Sequence, residues 1–204
     1  MKLVLSTLLC ASLAGGAAAF GSAATAPRPP APAESYEIDA THSSVIFRSL
    51  HVGVSQNYGR FDAISEKSQL TYDAADPSKS SILLVIEAES VDTNSEERDK
   101  HLRSGDFFGA KEFPEIVFES KKVSGKAPDL VVDGELTFHG VTKPVSAKVH
   151  VVGKADTFLK DHRAGFLGEL SIDMADFGVE FVKKSPGAVG PKVDLTVSLE
   201  CVRK

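Results

Sequence analysis

The sequence predicts an all-β protein, an antiparallel barrel of about eight strands with one or two short helical insertions. Three observations carry that prediction. From Tyr36 onward, apolar and polar side chains alternate almost to the last residue, the signature of half-buried strands. The alternating runs are joined by short connections, which favour antiparallel neighbours. The chain is 42% hydrophobic and 25% charged over 204 residues, ordinary for one globular domain. A barrel of about eight strands can be filled by side chains or hold one small ligand, and closure removes exposed strand edges. A two-sheet sandwich predicts the same alternation, and periodicity does not separate the two.

Two segments precede the barrel. In residues 1–19, Lys2 supplies a positive start, Leu3 to Leu13 an apolar stretch and Ala17 to Ala19 a small-residue cleavage site. This is a signal peptide, cut after Ala19 or alternatively Ala24, and its apolar run is too short to span a membrane. Bulky Leu9 before Cys10 argues against lipid modification there. The expected product is a soluble periplasmic protein. Residues 20–35 are rich in Pro and Ala and read as a tether, with the folded domain over 36–204. Loss of Cys10 leaves Cys201 alone, so no intramolecular disulfide is expected.

Eight runs make the barrel: YEIDATHSSVIFRSL, YGRFDAISEKSQLTYD, SSILLVIEAESV, IVFESKKV, LVVDGELTFHG, KPVSAKVHVVG, GFLGELSID and KVDLTVSLECV. The last four alternate most cleanly. Val132, Gly134, Leu136 and Phe138 share one face, as do Val145, Ala147, Val149 and Val151. Phe166, Gly168, Leu170 and Ile172 share another, and Val193, Leu195, Val197, Leu199 and Cys201 a fourth. Two insertions interrupt them. Thr93 with Glu96 fits a capping box, predicting a helix that fades near Gly105 before Pro114. Lys154 to His162 is charged and reads as a loop or a helical turn, and Pro186 with Pro191 brackets a further loop.

Searches for chemistry return little. The sequence has no GxSxG, HExxH, CxxC, phosphate-loop or GxGxxG pattern, and Asp176-Phe177-Gly178 matches a kinase fragment by letters alone. A formal charge of −5 without a basic stripe argues against nucleic acid. Among the six histidines, a hairpin turning near Val141–Lys143 would pair His139 with about Val145, keeping it from His150. His42, His51, Asp99 and His101 follow no known ligand spacing, so neither metal nor cofactor is expected.

The densest charged stretch is SEERDKHLRSGDFF, from Ser95 to Phe108. Helical spacing puts Arg98, His101 and Leu102 on one face and Asp99 with Arg103 on the next. The prediction is a helix pinned by ion pairs over one end of the barrel, with Phe107 and Phe108 inserted as a plug. Arg98 and His101 would secondarily present donors to a ligand head group.

Five pieces, YEIDATHSSVIF, HVGVSQNYGRF, ERDKHLRSGDFFGAKEFPEIVFES, GELTFHGVTKPV and MADFGV, occur in order from Tyr36 to the C-terminus. By these the chain resembles the YceI-like proteins, exported polyisoprenoid-binding proteins with a lipocalin-like barrel. It departs from them at Met174, where the family usually carries arginine. The resemblance implies non-enzymatic binding, for sequestration or transport, of an isoprenoid lipid, polyprenyl or quinone-like, in the barrel lumen. Expected ligand-binding residues are His42, Phe47, His51, Phe61, Arg98, His101, Leu102, Phe107, Phe108, Phe118 and Phe138. Expected partners are an isoprenoid or other amphiphilic lipid and, transiently, a membrane, with the protein a monomer or homodimer. A tail drawn from a bilayer is already out of water, so selectivity would rest on the head group, near Arg98, His101, His42 and His51. Two other readings remain: a hydrolase or isomerase using His with Asp or Glu at the mouth, and a structural or interaction module.

Overall fold

The computed structural model describes residues 32–204. The expected signal peptide (1–19) and most of the expected tether (20–35) lie outside the described residues. The strands are β1 (Glu34–Ile38), β2 (Ser44–His51), β3 (Ser55–Phe61), β4 (Gln69–Tyr72), β5 (Ser81–Glu87) and β6 (Val91–Asp92). They continue with β7 (Glu115–Lys126), β8 (Asp129–Phe138), β9 (Val141–Asp156), β10 (His162–Asp173) and β11 (Val189–Arg203). Helix α1 (Glu96–Arg103) precedes β7, and the single-turn α2 (Phe181–Lys184) precedes β11.

Every pairing is antiparallel, and the ring runs β1-β4-β5-β7-β8-β9-β10-β11 and back to β1. The barrel is therefore closed, with eight strands in its ring, and the sandwich alternative falls. Strand β11 makes closure possible by its length of 15 residues. Along one edge it pairs with β10; along the other it pairs first with β2, over Val189–Ser198, and then with β1, over Cys201–Arg203.

The eight runs of alternation become eleven strands because three of them bend. The first breaks between β1 and β2 at a 3-10 turn, Ala40–His42, capped by Asp39, whose carboxylate accepts from the backbone N–H of Thr41 and His42. The second breaks between β3 and β4, and the third between β5 and β6 at Ala88–Ser90. Each bend lets one run serve two neighbours, which periodicity does not report.

Two connections differ from the prediction. The β8–β9 hairpin turns at His139 and Gly140, both at positive φ (50° and 73°), so Phe138 faces Val141 and His139 is a turn residue without a Val145 partner. The charged insertion from Lys154 to His162 is a hairpin tip: β9 and β10 continue through it until Thr157, whose N–H donates to Asp161 C=O at 2.9 Å.

One end of the barrel is solid. Tyr36, Leu70, Tyr72, Val123, Leu130, Ala164 and Cys201 are all buried there, and Tyr72 meets Phe166 edge to face at 5.2 Å. Lys154 lies over both tyrosine rings, 5.9 Å from each centroid, and pairs with Glu34. The other end carries the β2–β3 turn, the β8–β9 turn, α1 and α2, and it remains open.

Candidate ligand cavity

Above the solid floor the lumen is a cavity of about 710 Å³, within the ~300–1,000 Å³ of small-molecule sites. Its walls follow from the period of two. Every second residue contributes: Val45, Phe47, Ser49 and His51 from β2; Phe166, Gly168, Leu170 and Ile172 from β10; Val193, Leu195, Val197 and Leu199 from β11. Leu84 and Ile86 of β5, Ile116 and Phe118 of β7, and Leu136 and Phe138 of β8 complete it. The apolar faces read from alternation are thus the inner ones. Eight of the chain's twelve phenylalanines line this cavity, which accounts for their excess over tyrosine.

Helix α1 and the turn after it close part of the mouth. The helix starts two residues later than the sequence predicts: Ser95 is the N-cap, its hydroxyl accepting from Arg98 N–H. Thr93 instead bonds forward to Asp99, which is buried and accepts from the Thr93 backbone N–H at 2.9 Å and from its hydroxyl. Arg98 completes the knot, with Nε donating to Thr93 Oγ1 at 2.7 Å and Nη2 to the Thr93 carbonyl at 2.6 Å. Arg103 does not pair with Asp99; it donates to the carbonyls of Glu89 and Val91, each at 2.7 Å. The helix is therefore held by hydrogen bonds more than by ion pairs, because carbonyls at the end of a short strand need donors and exposed ion pairs contribute little.

Past the helix, Phe107 and Phe108 are both buried in the cavity wall. Phe108 meets Phe61 at 5.5 Å, Phe138 at 5.7 Å and Phe47 at 6.2 Å between ring centroids. Phe107 packs on Phe181 of α2 at 4.7 Å and on His101 at 5.0 Å. His101 also approaches Asp106 at 3.3 Å in an exposed contact.

Ten of the eleven ligand-binding residues expected from sequence surround this one cavity: Phe47, His51, Phe61, Arg98, His101, Leu102, Phe107, Phe108, Phe118 and Phe138. His42 does not. It precedes β2 whereas His51 ends it, a separation of roughly 25–30 Å of extended chain, and it is exposed, bonded to Asp39 at 2.9 Å. The expected meeting of His42 with the mouth residues fails because β2 runs the wrong way for it. Lining residues not expected from sequence to bind ligand include Ser49, Asn57, Tyr58, Met174 and Phe181. Phe181 carries no period or motif that marks it, and Asn57 lies within HVGVSQNYGRF without a pattern that assigns it to the lumen. Met174, at the place of the family's usual arginine, is buried and adds apolar surface to the rim.

Charge is distributed in one direction. Among the lining residues Glu97 and Arg98 are the only ones of Asp, Glu, Lys or Arg type, and both come from α1, which also brings His101; the strands supply Ser49, Asn57, Tyr58 and the His51 imidazole as their polar groups. The strongest electrostatic perturbations lie at and around the solid end. Lys154, by its hydrogen bond, holds the Glu34 carboxyl down to about 2. His42, then Arg163, hold that of Asp39 down to about 2, and burial pushes the Cys201 thiol up to about 12. Asp39, His42 and Glu200 also form the one grouping among the described residues close enough to share a metal ion. Arg163 already occupies that corner, with Nη1 bonded to Asp39 at 2.7 Å and to Glu200, and Nη2 3.0 Å from Asp161. Its guanidinium neutralises the carboxylates and clamps the β1–β2 bend to β10 and β11.

Comparison with known proteins agrees with this architecture. The family model for the YceI-like domain matches residues 36–201. A UPF0312 protein of Pseudomonas aeruginosa (strain LESB58) is 38% identical over 174 residues, covering 84% of this chain and 88% of that protein. Among solved structures, BcnA of Burkholderia cenocepacia superposes with a TM-score of 0.72 at 23% identity, over 80% of this chain and 99% of that one. A polyisoprenoid-binding domain from Saccharophagus degradans superposes with a TM-score of 0.64 at 19% identity, over 84% and 99%. From its ordered motifs, its closed barrel and these matches, the chain belongs to the YceI-like domain family.

Proposed function

We propose that the protein binds an isoprenoid or similarly long apolar lipid in its lumen without chemically altering it, with the periplasm as its compartment. One observation carries the reading: a cavity of about 710 Å³ whose strand walls bear no Asp, Glu, Lys or Arg, those being confined to the α1 rim. Such walls favour a hydrocarbon chain, since an ionised group placed among them would lose its hydration without a partner. The polar groups they do offer suit a neutral, quinone-like head better than a phosphate. The shared fold with the Saccharophagus domain supports the same reading. The compartment rests on the leader in residues 1–19. A hydrolase or isomerase would concentrate its perturbed groups at the mouth, whereas Glu34, Asp39 and Cys201 stand outside the cavity.

The test is native mass spectrometry of gently purified protein, followed by organic extraction. A stoichiometric isoprenoid adduct is expected. Protein that arrives empty, and stays empty after incubation with isoprenoid-containing vesicles, would overturn the proposal.

A further inference from the structure

The β2–β3 hairpin spends stability on something outside the barrel. Its tip is closed by Val54 N–H donating to His51 C=O at 3.0 Å, with Val52 and Gly53 both at positive φ (42° and 74°). Two central residues of positive φ are the pattern that Asn-Gly supplies at least strain. Here the first is valine, whose branched Cβ makes that conformation costly. The side chains gain little in return: Val52 is 51% exposed and Val54 80%. Leu50, Tyr58 and Ile46 of the same hairpin are also exposed, making five of the nine large exposed hydrophobics among the described residues. From Ser49 to Asn57 the chain has no Asp, Glu, Lys or Arg. A strained, uncharged, apolar tip points to an external apolar contact.

The tip stands at the cavity mouth. Val52 N–H donates to Ala188 C=O at 3.1 Å, and His51 pairs with Val189. His51, Tyr58, Ala188 and Val189 all line the cavity. On the same rim, α2 turns Phe181 into the lumen and leaves Lys183 and Lys184 exposed. Lys183 is only loosely paired, with Glu180 at 3.9 Å. Resting on the lipid-binding reading above, we infer that the β2–β3 tip inserts Val52 and Val54 into the surface of an anionic bilayer, with Lys183 and Lys184 at its head groups, so that the cavity opens onto the lipid it loads. Apolar tip, lysine pair and mouth then face one plane, and a lipid tail passes between bilayer and lumen without crossing water. The other exposed apolar tip, Phe158 and Leu159, is at the solid end of the barrel, so docking there would not bring the cavity mouth to a bilayer.

Sedimentation of the purified full chain with phosphatidylcholine vesicles, with and without phosphatidylglycerol and free of isoprenoid, tests this. Val52→Asn/Val54→Ser should partition about tenfold more weakly. Lys183→Gln/Lys184→Gln should lose about fivefold per lysine on the anionic vesicles only. Phe158→Ser should bind as wild type. Val52→Asn alone should raise the melting temperature while weakening sedimentation, a combination that general misfolding does not produce. Undiminished sedimentation of the double valine variant would overturn docking at this tip. So would its loss in Phe158→Ser alone, or a light-scattering result in which the valines hold two copies of the chain together. Protein that carries isoprenoid yet never sediments would sink the docking and leave the lipid-binding reading standing. Protein that sediments yet stays empty after separate incubation with isoprenoid-containing vesicles would sink the lipid-binding reading.

Discussion

Thr93 and Asp99 are joined twice: the threonine donates both its backbone N–H, at 2.9 Å, and its hydroxyl to the same carboxylate oxygen, and both residues are buried. This pair fastens the helix that covers part of the mouth to the strand end of β6. Arg98 binds the same threonine from its other side, so its first role is to position the lid.

Removing that acceptor should be costly. Asp99→Ala strands a buried N–H and should lower the unfolding free energy by about 1–3 kcal/mol in urea titration. Asp99→Asn keeps an acceptor oxygen and should recover much of the loss. Equal destabilisation by both variants would mean that the negative charge, and not the hydrogen bonds, matters here.

Two glycines of the barrel should respond oppositely to a side chain. At Gly134 a Cβ would stand 2.5 Å from the Glu119 carbonyl and 2.7 Å from the Phe118 ring, so Gly134→Ala should cost about 1–3 kcal/mol. At Gly168 the nearest atom is 3.7 Å away, and the position faces the lumen. Gly168→Leu should therefore keep the melting curve cooperative while abolishing the lipid adduct in native mass spectra.

Phe108 links the lid to three aromatic rings of the wall. Phe108→Ala should cost about 3 kcal/mol, the low side for a buried phenylalanine, because its site borders open space that needs no refilling. Chemical denaturation gives the number, and Phe108→Leu should retain more than half of the lost stability.

Acid should loosen the solid end first. Glu34 and Asp39 are held at about 2 in the folded protein against ordinary values of 4.5 and 3.8. A carboxylate whose folded pKa is depressed contributes stability that is complete above its unfolded value and is lost as pH falls through the folded one. The urea midpoint should thus be flat near neutrality and fall between about pH 5 and pH 2. Asp39→Asn should show a shallower fall across that interval, although it starts less stable at pH 7.

Much of this was legible before any coordinates. The inner face of β10, with Phe166, Gly168, Leu170 and Ile172, is visible as plain alternation, because burial on one side of a pleated strand imposes a period of two. Phe107 and Phe108 are legible as a plug because two large apolar side chains follow a charged helix. What escaped detection depends on the path of the chain in space. His42 and His51 look like one cluster on paper, but a single extended strand holds them apart. Phe181 reaches the lumen from a helix of one turn, too short to carry a period. Thr93 reads as a cap from its spacing, yet the tertiary demand of Asp99 claims its hydroxyl and passes the cap to Ser95.

The ring closes where the first strand meets the last, with Tyr36 opposite Arg203 and Lys204 N–H donating to Ser35 C=O at 3.0 Å. Those partners lie at opposite ends of the described domain, so closure needs its whole length. Without β11, the strands β1, β2 and β10 all lack the neighbour it provides, and these long-range pairings form late. A chain still lacking β11 therefore cannot close the ring and keeps open strand edges. Until β11 is in place those unpaired edges stay open to pairing with other chains, so the barrel is exposed to aggregation up to the last step of its folding.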